Sequence, residues 1–347
     1  MGDIPLYAGL DMHGETTTCM IKDEKGNPFR VLKVETTKEG MRKLFEKINR
    51  KQVTAVFEAS RNWQYYSRLL RPHCRSLVMA HPLKLRAIAS ARIKTDAIDS
   101  DILCDLLRSN LIPESYMPQE DIVELRELLR YRATLSSHRA RLKAQVKNIL
   151  SREGKKCEID AVAGKRARLW LKHLDLAPLN RRELDFAIER YDRICEEIKS
   201  LDVTIEREQY KYPEIDLMKS IPGISTFSAL MIISEIADIS RFDKPSKLAA
   251  YAGLVPSTYQ SSNTAYHGKI TKQGNRWLRW ITTQCVHAGI KSHKSHKLKT
   301  FCLKLERKKG KQKAVVATAR KMLTTIWYLL NKNEYYAYRD STIKNGL

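Results

Sequence analysis

The stretch LYAGLDMHGETTTCMIKDEKGNPFRVLKVE, residues 6–35, reads as three strands in succession. Leu6–Asp11 is a short apolar run that ends on an acid. Thr16–Lys22 alternates enough to pair with it, and Lys25-Gly26-Asn27-Pro28 supplies turn-forming residues before a third strand at Phe29–Val34. The three make a meander. Over Thr37–Asn49, Met41, Leu44, Phe45 and Ile48 recur at helical spacing, with Thr36 or Thr37 as the cap. Val53–Phe57 is a β-rich run ending at Glu58. Tyr65–Leu70 then reads as helix, Ser76–Met79 as strand, and Pro82–Ala91 and Asp96–Arg108 as helices. The order βββαβαβα predicts an α/β domain over residues 1–114, a mixed sheet with helices on its faces.

Working outward, residues 115–210 change character. Ile122, Leu125, Leu128, Leu129, Leu135, Leu142, Val146 and Ile149 mark one long amphipathic helix. Leu184, Ile188, Tyr191, Ile194, Ile198, Leu201 and Ile205 mark a second, and Gly154, Gly164 and Pro178 interrupt the chain between them. Two such helices make either an antiparallel hairpin or a coiled coil for dimerisation. Residues 211–347 form a third, mainly helical region. In it, Ser220-Ile221-Pro222-Gly223-Ile224-Ser225 precedes an apolar helix at Phe227–Ile236, a spacing that suggests a helix-hairpin-helix element whose backbone amides face a phosphate. Ala249–Pro256 leads into a polar stretch, Ser257–His267, read as a loop. Gly268–Arg276 follows, then a helix at Trp277–Ala288.

The formal net charge is +24, from 63 Lys and Arg against 39 Asp and Glu. Such an excess favours a polyanionic partner, with nucleic acid first among them and affinity that falls with salt. Residues 291–321 concentrate it, with twelve Lys or Arg and one acid, Glu306. Arg307, Lys308, Lys309, Lys311 and Lys313 read there as a phosphate-contacting loop or arm, and Val315–Leu330 as an apolar helix. The seven cysteines contain no CxxC pair, which argues against a cysteine zinc site or disulfides and for a reducing cytoplasm. No run of 18 apolar residues, signal peptide or acylation motif is visible, so no membrane partner is expected.

The chemistry most visible from spacing is acidic. Asp11 closes the first strand and Glu58 the fourth. Asp96 and Asp99 stand three apart at a helix start, hence on one face. In a meander sheet the ends of the first and fourth strands can lie side by side. Four carboxylates gathered there would repel and raise one another's pKa, and hard divalent cations, Mg2+ or Mn2+, relieve that repulsion. A pair of such ions serves phosphodiester chemistry. Asp101 and Asp105 are of the same residue type but read as solvent-facing. With the strand order and the charge, the set reads as a ribonuclease-H-like nuclease core.

At this point the chain resembles the transposases of the insertion-sequence 110 family. GLDMH carries Asp11, VFEAS carries Glu58, and KTDAIDSDILCDLL carries Asp96 and Asp99. Together they are similar to that family's DEDD, RuvC-like domain. SIPGIS, EIADISRF, LAAYAGLVPS and GKITKQGNRWLRW match in the second half, in order. The resemblance implies that the four acids bind metal. It also implies a serine nucleophile after the GLVP motif that forms a phosphoserine link with DNA. That position is Ser261. Ser262 stands where a glycine is usual, and is the rival nucleophile. Lys269, Lys272 and Arg276 would hold DNA phosphates nearby. The resemblance further implies a guide RNA encoded by the element that pairs with donor and target DNA, and dimers that assemble to tetramers. Two other readings stay open: a hydrolytic RuvC-like nuclease with no use for Ser261, and a nucleic-acid-binding protein without catalysis.

Overall fold

The structure, a computed structural model, describes residues 4–88, 95–156, 162, 164–261, 264–293 and 296–336. It falls into two compact units, Met1–Met117 and Pro118–Leu347.

The first unit contains β1 (Leu6–Met12), β2 (Thr16–Asp23), β3 (Pro28–Glu35), α1 (Lys38–Leu44), β4 (Val53–Glu58), α2 (Trp63–Leu70), β5 (Ser76–Ala80), α3 (Pro82–Ile88) and α4 (Asp96–Arg108). The sheet order is β3-β2-β1-β4-β5. The meander is antiparallel, and β4 and β5 add to it in parallel. Strand alternation sorts the side chains into two cores. Leu6, Ala8 and Leu10 of β1 and Val53, Ala55 and Phe57 of β4 bury one face against Met41 and Leu44 of α1 and Tyr66, Leu69 and Leu70 of α2. On the other face, Tyr7, Val56 and Val78 meet Leu85 of α3 and Leu103 and Leu107 of α4. Each large side chain buried this way contributes about 1.5–3 kcal/mol.

Helix α1 is shorter than the periodicity predicts, ending at Leu44. Thr37 is its cap, accepting a bond from the Gly40 amide. The expected helix from Pro82 is described to Ile88, and its last residues, 89–91, lie outside the described residues. Thr95 caps α4 through the Ile98 amide, which fixes where the Asp96–Asp99 turn begins.

Helix α4 lies hard against β1. A Cβ at Gly9 would sit 2.2 Å from the Ser100 carbonyl oxygen and 2.4 Å from the Cys104 nitrogen, so only glycine admits this approach. An ion-pair cluster around a buried lysine fastens the same contact. Lys22 Nζ of β2 lies 2.6 Å from Asp101 Oδ1 and 2.8 Å from Asp105 Oδ2. Burial pulls the Lys22 ammonium down, but the bonds it donates to the two carboxylates outweigh this and leave its pKa above the ordinary lysine value. Asp101 and Asp105 therefore do not simply face solvent: they tie α4 to the sheet.

The second unit contains α5 (Glu120–Arg152), α6 (Lys165–His173), α7 (Pro178–Glu208), α8 (Glu214–Lys219), α9 (Thr226–Ile236), α10 (Pro245–Tyr251), β6 (Pro256–Ser261), β7 (Thr264–Ile270), α11 (Arg276–Lys291), α12 (Lys297–Lys309) and α13 (Lys311–Lys332). Helices α5 and α7 pair antiparallel within one chain. Arg132 holds Asp202 through two bonds of 2.9 and 3.1 Å, Gln145 reaches Glu183, and Arg152 bonds Glu183 nearer the far end. The far end has its own core, with Val146, Ile149 and Leu150 against Leu171 of α6 and Leu184 and Tyr191 of α7. At the other end α5 packs on α9, which is buried almost throughout. The turn before α9 is closed by a reciprocal cap: the Ser225 amide donates to Ser228 Oγ at 2.7 Å, and the Ser228 amide to Ser225 Oγ. Two of the amides at this helix start are thus engaged within the chain.

Two further segments differ from their sequence reading. The stretch read as a polar loop is largely the β6–β7 hairpin. The expected basic arm is the junction of α12 and α13 at Gly310. Among the described residues no helix is long and apolar enough to cross a membrane.

Replacing Gly9 with Val forces α4 off the sheet. Urea unfolding should report a loss of about 1–3 kcal/mol. An unchanged midpoint would contradict the close approach.

Candidate functional site

Asp11 and Glu58 follow the last paired residues of two adjacent parallel strands, Leu10 and Phe57. Those two point into the core under α1 and α2, so strand alternation turns Asp11 and Glu58 to the face that α4 covers. Helix α4 opens with Asp96 and Asp99. The structure brings Asp11 and Asp96 together with His13, each offering a ligand atom within 4.8 Å of the others. His13 Nε2 lies 3.1 Å from Asp11 Oδ2 and 3.9 Å from Asp96 Oδ1. Lys33 Nζ of β3 donates to Asp96 Oδ2 at 2.9 Å. Glu58 stands outside this cluster, at the end of the neighbouring strand.

Desolvation is the largest influence on Asp11 and raises its pKa. His13 draws it back, and the charges of Asp96 and Asp99 push it up again, which puts Asp99 within electrostatic reach. Asp96 moves the other way, because the Lys33 ammonium favours its ionised form. Thr18, the residue of β2 paired with Asp11, buries a hydroxyl that has no hydrogen-bond partner among the described residues. Paired hard carboxylates beside an unsatisfied hydroxyl suit a small divalent cation, whose ligands are oxygens.

Sequence reasoning missed His13 and Lys33. His13 stands two residues beyond Asp11, so strand periodicity carries it to the same side. Lys33 is paired with Thr18, which is itself paired with Asp11, and only the register reveals this alignment.

In the second unit, Ser261 is the last residue of β6 and pairs with Thr264. Ser262 lies outside the described residues. The hairpin is closed at its base by the chain itself. The Thr271 amide donates to the Val255 carbonyl at 2.9 Å, and the Asn275 amide to the Tyr251 carbonyl at 2.6 Å. Gly274, at φ +119°, lets this closure form, since a Cβ there would lie 2.3 Å from the Tyr251 oxygen.

Beneath the base sits Glu235, a fully buried acid that sequence reasoning also missed. Arg130 grips both of its oxygens at 2.7 Å, and Asn275 Nδ2 donates to one of them at 2.7 Å. Asn275 Oδ1 in turn caps α11 through the Trp277 and Leu278 amides. Arg126 donates to the carbonyls of Ser234 and Glu235. Burial pulls its guanidinium pKa down, and the Glu235 charge pulls it back up. One carboxylate thereby joins α5, α9 and α11 at the root of the hairpin. Removing it would leave the partly buried Arg126 and the more exposed Arg130 without their carboxylate, at a cost of about 1–3 kcal/mol.

Lys269 belongs to β7. Lys272 and Arg276 are exposed beside the hairpin base, and Arg307, Lys308, Lys309, Lys311 and Lys313 are exposed around Gly310.

Two family models match the chain. One, described as Transposase IS116/IS110/IS902 family, covers residues 215–302, and the other, described as Transposase, covers residues 8–153. The transposase for insertion sequence element IS1111A of Coxiella burnetii is 32% identical over 121 residues, 34% of this chain and 33% of that protein. A provisionally described transposase of Sinorhizobium fredii is 25% identical over 259 residues, 73% of this chain and 63% of that protein. The transposase for IS1328 of Yersinia enterocolitica is 23% identical over 193 residues, 56% of this chain and 58% of that protein. The chain thus spans less than two thirds of the length of each of these relatives.

A folded-state pKa raised for Asp11 means that its ionised form costs stability at neutral pH. That cost grows as pH rises from the unfolded value, 3.8, through the folded one. Without divalent cation, Asp11→Asn should therefore melt at a higher temperature than the natural protein at pH 7. The gain should vanish below about pH 3.8. A lower melting temperature for the variant at pH 7 would contradict this electrostatic picture.

Proposed function

Because the chain belongs to the IS116/IS110/IS902 family of transposases, we propose that it is a DNA transposase that cleaves and exchanges strands through a phosphoserine intermediate. The observation that carries this reading is the meeting of Asp11 and Asp96 with His13 over one face of a mixed sheet, in a chain of net charge +24. Asp11, Asp96, Asp99 and Glu58 would hold Mg2+ or Mn2+. When bound, such an ion stabilises charge on phosphate oxygens and favours deprotonation of a nearby hydroxyl.

The remaining roles fall to the chain's own residues. The Lys33 ammonium offsets the charge of Asp96, and His13 Nε2 lies against Asp11. Ser261 is the nucleophile. Its oxygen bonds to phosphorus as the bond from that phosphorus to one sugar oxygen breaks, and the departing sugar oxygen takes a proton. The serine's own proton passes to a base. Attack by a sugar hydroxyl on the phosphoserine reverses the step, so strands rejoin without hydrolysis. Lys269, Lys272 and Arg276 would neutralise phosphates beside the hairpin, and the cations around Gly310 would hold DNA further along. A guide RNA encoded by the element would choose the sequence by base pairing. The α5–α7 hairpin would serve assembly into dimers and tetramers.

The test is to trap the intermediate. The protein is mixed with Mg2+, the element's junction DNA, its target and the flanking transcript, then resolved on denaturing gels with peptide mass analysis. A covalent protein–DNA adduct on Ser261 is expected, absent in Ser261→Ala while DNA binding persists. An adduct on Ser262 moves the nucleophile by one residue. Cut DNA without an adduct overturns the phosphoserine step in favour of hydrolysis. DNA binding without cutting overturns catalysis.

A further inference from the structure

A groove of about 900 Å3 runs between α5 and α11, in the second unit, and none of the described residues lining it is acidic. On α5 it is edged by His138 and Arg141, one turn apart and both exposed. On α11 it is edged by Arg276, Trp277, Trp280 and Gln284, also one turn apart. The two tryptophans differ in what they already touch. Arg276 stacks on Trp277 at 5.3 Å and Arg130 lies 5.9 Å from the same ring, so guanidinium groups already attend Trp277. Trp280 meets Trp277 edge-on, with centroids 5.8 Å apart and planes at 87°, and it is only half-buried. Arg279, which also borders the groove, is spent on structure, donating to the Ala252 carbonyl at 2.8 Å. Arg141 and Arg276 are long exposed cations on opposite walls, and the half-buried ring of Trp280 lies on the wall of Arg276, one turn along.

This combination has a specific chemistry. Cations on the walls attract phosphates, and a half-buried indole offers a π-face to a base. A duplex keeps its base faces stacked inside and cannot use the indole. A single strand can. Helix α11 starts at the closed base of the β6–β7 hairpin, so a strand in the groove would lead toward the residues that carry Ser261.

We propose that the α5–α11 groove binds a single-stranded segment of nucleic acid, with its phosphates against Arg141 and Arg276 and a base stacked on Trp280. The proposal rests on the nucleic-acid reading above for the class of ligand and on the groove's geometry for its place. An unpaired DNA strand and an unpaired stretch of RNA share the chemistry required.

The test measures binding of fluorescently labelled oligo-dT, oligo-rU and a duplex of equal length to the full chain, by anisotropy at two salt concentrations. Trp280→Ala and Arg141→Ala should each weaken single-strand binding roughly tenfold and leave duplex binding within about twofold. Arg141→Ala should also flatten the salt dependence, and Trp280→Phe should restore most of the affinity. Circular dichroism and melting curves confirm that each variant is folded. Stronger binding of oligo-dT or of oligo-rU assigns the groove to a DNA or an RNA strand, and equal binding supports the shared chemistry. Unchanged single-strand affinity in folded Trp280→Ala and Arg141→Ala would overturn the groove while leaving the transposase reading intact. A natural protein that binds none of the three probes would overturn both.

Discussion

The packing of α4 on β1 at Gly9 is the contact on which the acidic site depends. Without a Cβ there, the helix backbone comes within van der Waals range of the strand backbone. Its first turn can then bring Asp96 to Asp11, two carboxylates far apart in sequence. Like charges resist that meeting, so something else must hold the helix down. Leu103 and Leu107 supply apolar burial, and the Lys22 bridge to Asp101 and Asp105 supplies charge of the opposite sign. The site is thus strained electrostatically and held mechanically, a common division in sites built for chemistry.

The second unit solves a related problem with the opposite polarity. An excess of cations must be organised without carboxylates crowding the surface they serve. Glu235 is withdrawn into the core, where it orders Arg130 and Asn275 and through them the start of α11. The exposed cations Lys272 and Arg276 are left facing outward at the hairpin base, and Arg141 along the α5–α11 groove. A single buried acid and clustered surface bases suit the polyanionic partner proposed for the chain, with the hairpin rooted on the same carboxylate.

Much of the first unit was legible because its signals are local. Period-2 runs closed by turn residues marked the strands, and an acid at the end of each of two strands stood out. The i,i+3 spacing of Asp96 and Asp99 needed only a helix start at Thr95. What escaped was set by register and by tertiary burial. Lys33 reaches Asp96 because β3 pairs with β2, and no spacing in the sequence states that. Asp101 and Asp105 look like surface residues until Lys22 is placed beneath them. Glu235 was the most readable omission: a lone carboxylate in TFSALMIISEI, a helix apolar on every side, calls for a buried partner. The hairpin of β6 and β7 was hidden by its polarity, since Ser, Thr and Gln suit both loops and exposed strands.

The central proposal is that the face under α4, where Asp11 and Asp96 meet, holds a divalent cation with Asp99 and Glu58 completing the site. Anomalous diffraction from crystals grown with Mn2+ tests it most directly. The account predicts a strong peak bounded by these four carboxylates, lost in Asp11→Asn crystals. An empty difference map there at saturating Mn2+, with the Lys33 ammonium still seated on Asp96, would contradict it.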